Sequence, residues 1–119
     1  MTEAFEGSFA DVAADEPYPG VSRRTLDAAA ATVNRYDFEP GATFPRHRHA
    51  QEQITLVLEG SVELTVGGRT KALAVGDYSV VPPDVEHGIS AGEAGASFLA
   101  LIVPARAGAN AYTVIEEAR

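Results

Sequence analysis

Residues 41–60 read Gly41-Ala-Thr-Phe-Pro-Arg-His47-Arg-His49-Ala-Gln-Glu-Gln53-Ile-Thr-Leu-Val-Leu-Glu-Gly60. Two of the chain's three histidines stand here, two residues apart, and the third, His87, follows Pro82-Pro83. On a β-strand, side chains at i and i+2 project from the same face, so His47 and His49 aim both rings into one space. Neutral imidazoles suit a divalent transition metal, and His87 from another strand would complete a three-histidine face. By the same alternation Arg48 faces the opposite side, where it reads as a surface or interface charge.

Outward from this stretch the chain is punctuated as a series of short strands. Val62, Leu64 and Val66 alternate with Ser61, Glu63 and Thr65, and the run closes on Gly67-Gly68, a hairpin turn leading into 69–73. Further strands are expected at Thr32–Phe38, 44–49, 53–58, Tyr78–Val81, 87–90, 97–103 and 112–115. The expected breaks are Pro40-Gly41, Gly60, Gly76-Asp77, Pro82-Pro83-Asp84 and 92–95. This spacing predicts an all-β sandwich or barrel. Only residues 26–32, with four consecutive alanines from Ala28, invite a helix, and that stretch is too short to change the class.

Composition narrows the rest. At 119 residues with 45% hydrophobic content the chain has one core to bury, and with no cysteine there is neither a disulfide framework nor a thiolate zinc site. Seventeen acidic residues face nine basic ones, for a net charge of −8, which argues against a nucleic-acid partner. Five of those acids (Glu3, Glu6, Asp11, Asp15 and Glu16) precede Pro17 with no base among them, so residues 1–20 are expected to be an acidic N-terminal arm, solvated or a frayed helix. Residues 21–119 are expected to form a single barrel domain. The first residues lack the basic and apolar regions of a secretion signal, and no apolar run approaches the roughly 18 residues of a membrane span, so a cytoplasmic location without a membrane partner is expected.

The motifs together resemble the cupin superfamily. Gly41, five residues, His47-x-His49, three residues, Gln53, six residues and Gly60 is similar to the first cupin signature, with Gln in place of its usual Glu. Gly76, five residues, Pro82, then Asp84, two residues and His87 is similar to the second, with Asp84 in place of Gly and Ala91 in place of a frequent Asn. The resemblance implies a cupin double-stranded β-helix, a jelly-roll-like barrel. It also implies one divalent transition metal (Fe, Mn, Ni, Zn or Cu) held by His47, His49, His87 and Gln53, and a homodimer with the segment before Val33 packed across the partner. Glu52 is the rival fourth ligand, a better donor chemically but on the other face of a regular strand. Four neutral ligands would leave the ion's charge uncompensated, so the site should attract a small anionic organic ligand.

Among cupins the run His47-Arg48-His49-Ala50-Gln51-Glu52-Gln53 with Leu58-Glu59-Gly60 looks like that of the pectin-degradation cupins, which linearise or isomerise unsaturated uronates. That group carries D-x-F-x-P-x-R on a later strand; here Ala100 and Ile102 replace the Asp and Phe while Pro104 and Arg106 stay. An alanine cannot transfer a proton, so metal-bound hydroxide, Glu52, a tyrosine or another group would have to act. Arg106 could clamp a substrate carboxylate with its planar fork. The expected function is a metal-dependent lyase or isomerase on a keto-acid or uronate-like substrate; the alternatives are an Fe(II)-dependent dioxygenase and a non-catalytic small-ligand sensor.

Overall fold

The computed structural model describes residues 3–106, 108 and 111–115. A 3-10 turn at Phe9–Asp11 precedes β1 (Ala14–Tyr18), β2 (Val21–Asp27), β3 (Thr32–Phe38), β4 (Thr43–Arg48), β5 (Glu52–Val66), β6 (Arg69–Ala74), β7 (Tyr78–Val81), β8 (His87–Val103) and β9 (Thr113–Val114). Among the described residues no helix is long and apolar enough to cross a membrane. The architecture is an all-β barrel curled from one sheet.

Two long strands organise it. β5 and β8 pair antiparallel from Glu52↔Val103 to Val66↔His87, with register shifts between Val57 and Glu59 and between Gly60 and Val62. The first part of β8 also pairs with β4, its later part with β3, while β5 pairs with β7 and then β6. The breaks expected at Gly60 and at 92–95 are therefore bends within continuous strands. At the crossing, Gly60 and Gly95 hold positive φ (69° and 78°), and a Cβ on Gly60 would lie 2.0 Å from the Gly95 carbonyl oxygen. Glycine permits both the conformation and the close approach, so the sheet folds over without ending its ladder.

The expected hairpin forms with Val66 opposite Arg69, and both turn glycines take the positive φ of a primed turn. The stretch that invited a helix is another hairpin: Asp27 pairs with Thr32, and Ala28 N–H donates to the Ala31 carbonyl at 2.9 Å. Four alanines make about one helical turn, too little to repay helix nucleation against two flanking strands already in register. The acidic arm is in part a strand, since β1 pairs with β2. There Asp15 takes two hydrogen bonds from Arg23, which is only 1% exposed, and this bonding lowers the Asp15 pKa. Asp84, where the second signature has Gly, takes φ 65°, within the range that Asp and Asn tolerate better than other residues.

Strand alternation turns Val21, Tyr36, Phe38, Phe44, Leu64 and Phe98 into the barrel as its apolar core. Beyond them on the same inner face lie buried Thr32, Asn34, Gln53, Thr55 and the three histidines, so the interior is polar at one end. Gly60→Ala should lower the midpoint of chemical denaturation, at a cost of roughly 2 kcal/mol or more, because the added methyl must displace backbone at the β5–β8 crossing. An unchanged midpoint would show that the crossing tolerates separation.

Candidate metal centre

His47 stands near the end of β4, His49 just past it, His87 at the start of β8 and Gln53 at the start of β5. Register makes them neighbours: His47 pairs directly with His87 across β4 and β8. The rings of His47 and His87 lie 4.3 Å apart at their centroids, those of His49 and His87 5.0 Å. All three residues are buried, and one potential ligand atom from each lies within 4.8 Å of the others. Two ligands on one ion, with bonds of about 2.0–2.1 Å, stand about 3–3.5 Å apart, so a small inward closure of the rings would form a three-histidine face.

The ring protons are set by backbone. The Nδ1 atoms of His47, His49 and His87 lie 2.9 Å from Pro45 O, 3.0 Å from Gln51 O and 2.9 Å from Val85 O. A carbonyl only accepts, so each ring donates from Nδ1–H and keeps an unprotonated Nε2. Orientation of the metal-free nitrogen by a backbone carbonyl is the usual arrangement behind a metal-ligating histidine. Gln53 adds a fourth lone pair: its Nε2 donates to Thr55 Oγ1 at 3.1 Å, which turns Oε1 toward His49 Nε2 (3.1 Å) and His87 Nε2 (3.3 Å). Acceptors thus face acceptors at the centre, an arrangement that calls for a cation between them. Glu52 is half-buried one position away on β5, and it is not among the three residues that form the candidate metal cluster. The donor set fits a divalent transition ion.

Burial depresses the histidine pKa values. His47 falls to about 3, mainly through desolvation and then the neighbouring His87, and His87 to about 4 through desolvation; His49 is lowered by the same cause. The rings are therefore neutral at neutral pH, the form that binds metal.

Arg106 joins the site. It is buried, and its backbone N–H donates to Thr32 Oγ1 at 2.9 Å, which fastens the segment after β8 onto β3. Its guanidinium lies 6.0 Å from the centre of the Tyr112 ring. With Tyr36, His47, Gln53 and His87 it lines a cavity of about 20 Å³. Every ion pair found among the described residues joins other arginines to Asp or Glu, which leaves Arg106 without a carboxylate, and its Nε has no hydrogen-bond partner. Arg48 is exposed, as its alternation requires.

Two residues at the site lie outside both motifs, Tyr112 against His47 and Tyr36 in the lining of the cavity, and Arg23 acts on Tyr36. Tyr112 is brought in by β9, which pairs with β4 at His47↔Val114, and its ring packs on Phe44 and His47. Its hydroxyl lies 3.1 Å from that of Tyr18, whose pKa is pushed up to about 12 by burial and by this contact. Only the alternation of β3 could have pointed Tyr36 inward, and nothing in the sequence ties it to the histidines.

A barrel with this inward histidine set defines the class as cupin. The chain belongs to the cupin domain family, whose sequence profile matches residues 34–102. It is similar to the dimethylsulfoniopropionate lyase DddW of Ruegeria pomeroyi, 37% identical over 90 residues, which cover 71% of this chain and 59% of the lyase. The chain thus aligns with less than two thirds of that curated relative. Among solved structures it is similar to KdgF from Halomonas sp., with TM-score 0.76 and 27% identity over 86% of this chain and 97% of that one. Oxalate decarboxylase of Bacillus subtilis superposes at TM-score 0.86 over 97% of this chain and 33% of its own; at 21% identity this concerns the fold alone.

A group whose folded pKa lies below its unfolded value stabilises the protein above the unfolded pKa and loses that contribution as pH falls toward the folded one. Metal-free protein should accordingly lose melting temperature as pH drops from about 6.5 toward 4, and His47→Gln should flatten this dependence. Thermal melts across that range check it; a flat profile in the wild type would contradict the burial of neutral imidazoles.

Proposed function

We propose that this cupin is a metal-dependent lyase or isomerase acting on a small anionic substrate of the keto-acid or uronate-like class. The observation that carries the reading is a buried Arg106 that has no carboxylate partner among the described residues and lines one cavity with His47, His87 and Gln53. A buried cation left uncompensated is costly, and an anionic ligand offsets that cost. In this reading His47, His49, His87 and Gln53 hold one divalent transition ion, which when bound polarises a carbonyl or carboxylate oxygen of the substrate. Arg106 fixes the substrate's charge and orientation, and the aromatic wall of Phe44, Tyr112 and Tyr36 limits water. The amide of Gln53 leaves the ion's positive charge undiminished, which favours anion binding. Similarity to the lyase DddW and to KdgF supports this class.

One observation favours a second reading, a non-catalytic ligand-binding cupin: Ala100, 1% exposed, stands where the uronate-acting pattern has an acid, and it can transfer no proton. A turnover screen on keto acids, unsaturated uronates and dimethylsulfoniopropionate, run with Mn(II), Fe(II), Co(II), Ni(II) and Zn(II), separates the two. Metal-dependent product formation supports the enzyme, ligand binding without turnover the sensor, and oxygen consumption with Fe(II) would redirect the reading to an oxygenase. The reading includes a homodimer, which sedimentation velocity tests.

His87→Ala should abolish most divalent-ion binding in a folded barrel, and a chelator should lower the melting temperature of metal-loaded protein, since a ligand bound only by the native state adds to its stability. A protein that binds no divalent ion, with the Gln53 amide turned to donate to His49 and His87, would overturn the metal reading. Gln53→Glu should tighten the metal and weaken the affinity for a carboxylate ligand by cancelling one unit of attracting charge. Both constants come from calorimetry on one variant, and an anion affinity that stays level would make the role of Gln53 geometric.

A further inference from the structure

The cavity beside the histidines is served by a second buried donor that neither signature includes. Tyr36, on β3, is 6% exposed, stacks on Phe98 with ring centres 5.1 Å apart and meets Phe38 and Phe44 edge-on. Burial raises its pKa, and the guanidinium groups of Arg23 and Arg106 oppose that rise through charge and hydrogen bonding. Both guanidiniums are donors without an acceptor, so they hold the phenolic oxygen by its lone pairs and Tyr36 O–H can donate to neither. The phenol is thus engaged through its oxygen, and its proton is available to a further acceptor. Arg106, whose Nε–H is buried and without an acceptor among the described residues, lines the same cavity.

The two arginines differ. Arg23 is matched by Asp15, with Nε to Oδ1 at 3.0 Å and a second nitrogen to Oδ2 at 2.6 Å, so its charge is already balanced. Arg106 has no such carboxylate among the described residues. Two donors, one of them cationic, on residues that line the same small cavity are the complement of a single carboxylate.

We propose that Tyr36 is a specificity-determining residue: its O–H and the Nε–H of Arg106 together grip one carboxylate of the ligand, while the histidine face takes a second oxygen of the same molecule. This rests on the metal-centre reading above and narrows its substrate class to short carboxylates with a further oxygen nearby, such as 2-oxo or 2-hydroxy acids. A cavity of about 20 Å³ has room for roughly one water, so the charged end of the ligand displaces that volume while the remainder stays toward the mouth. Burial keeps the phenol protonated at neutral pH and hence a donor.

The test uses the full chain loaded with Co(II), whose visible spectrum reports both metal occupancy and ligand entry, titrated with acetate, oxalate and pyruvate. Tyr36→Phe keeps the ring contacts and removes only the hydroxyl. Co(II) affinity should stay unchanged in this variant, while pyruvate and oxalate bind about tenfold or more weakly, as expected for a lost hydrogen bond to a charged group. Arg106→Gln should show a loss at least as large. Equal pyruvate and oxalate affinity in wild type and Tyr36→Phe overturns the proposal, as does the absence of a response to all three anions in Co(II)-loaded wild type. Failure of the wild type to bind Co(II) is a separate result that removes the metal-centre reading, and this subsite with it.

Discussion

The antiparallel pairing of β5 with β8 is the constraint on which the rest of the molecule depends. Each strand is long enough to serve two walls of the barrel, and both bend where Gly60 passes Gly95. The bend brings the start of β8, with His87, against β4 and His47, while the other end of the pair sets Gln53 opposite Ile102. Without a backbone approach that only glycine allows, the long strands would continue flat and the histidines would face separate spaces.

The interior built in this way is divided by chemistry. Aromatic and aliphatic side chains fill one end, and the other holds lone pairs turned toward one another with a buried guanidinium beside them. Neither feature is favourable for stability by itself, because a buried acceptor without a donor and a buried cation without an anion each carry a desolvation cost. In the proposed reading a divalent ion would relieve the first and a carboxylate ligand the second. Under that reading the polar end of the barrel is a receptor for opposite charges, and its unpaired groups are the cost of that role.

The periphery completes the site from both ends of the barrel strands. β1 brings Asp15 to Arg23 and Tyr18 to Tyr112, while β9 lays Tyr112 over His47 by pairing with β4. An arm that reads as solvated acid thus supplies the counter-charge for a buried arginine, whose own charge acts on Tyr36. Composition alone could not reveal this, since Asp15 looks like the four other acids around it until Arg23 is placed opposite.

Local periodicity determined much of this protein. The alternation around His47 and His49, the glycine pair at 67–68 and the spacing of the two motifs suffice for the strands, the hairpin and the set of inward residues, because these depend on near neighbours in the chain. Tertiary structure decided the rest: that Gly60 and 92–95 are bends inside continuous strands, that four alanines close a hairpin, and that Tyr36 and Tyr112 gather at the site. Those outcomes depend on partners as far away as 94 residues, as in the Tyr18–Tyr112 contact, and no pattern along the chain encodes which distant side chain a given residue will meet. The burial that strips Arg106 of solvent has the same origin, since a charge near a strand end reads as exposed until β3 and Tyr112 close around it.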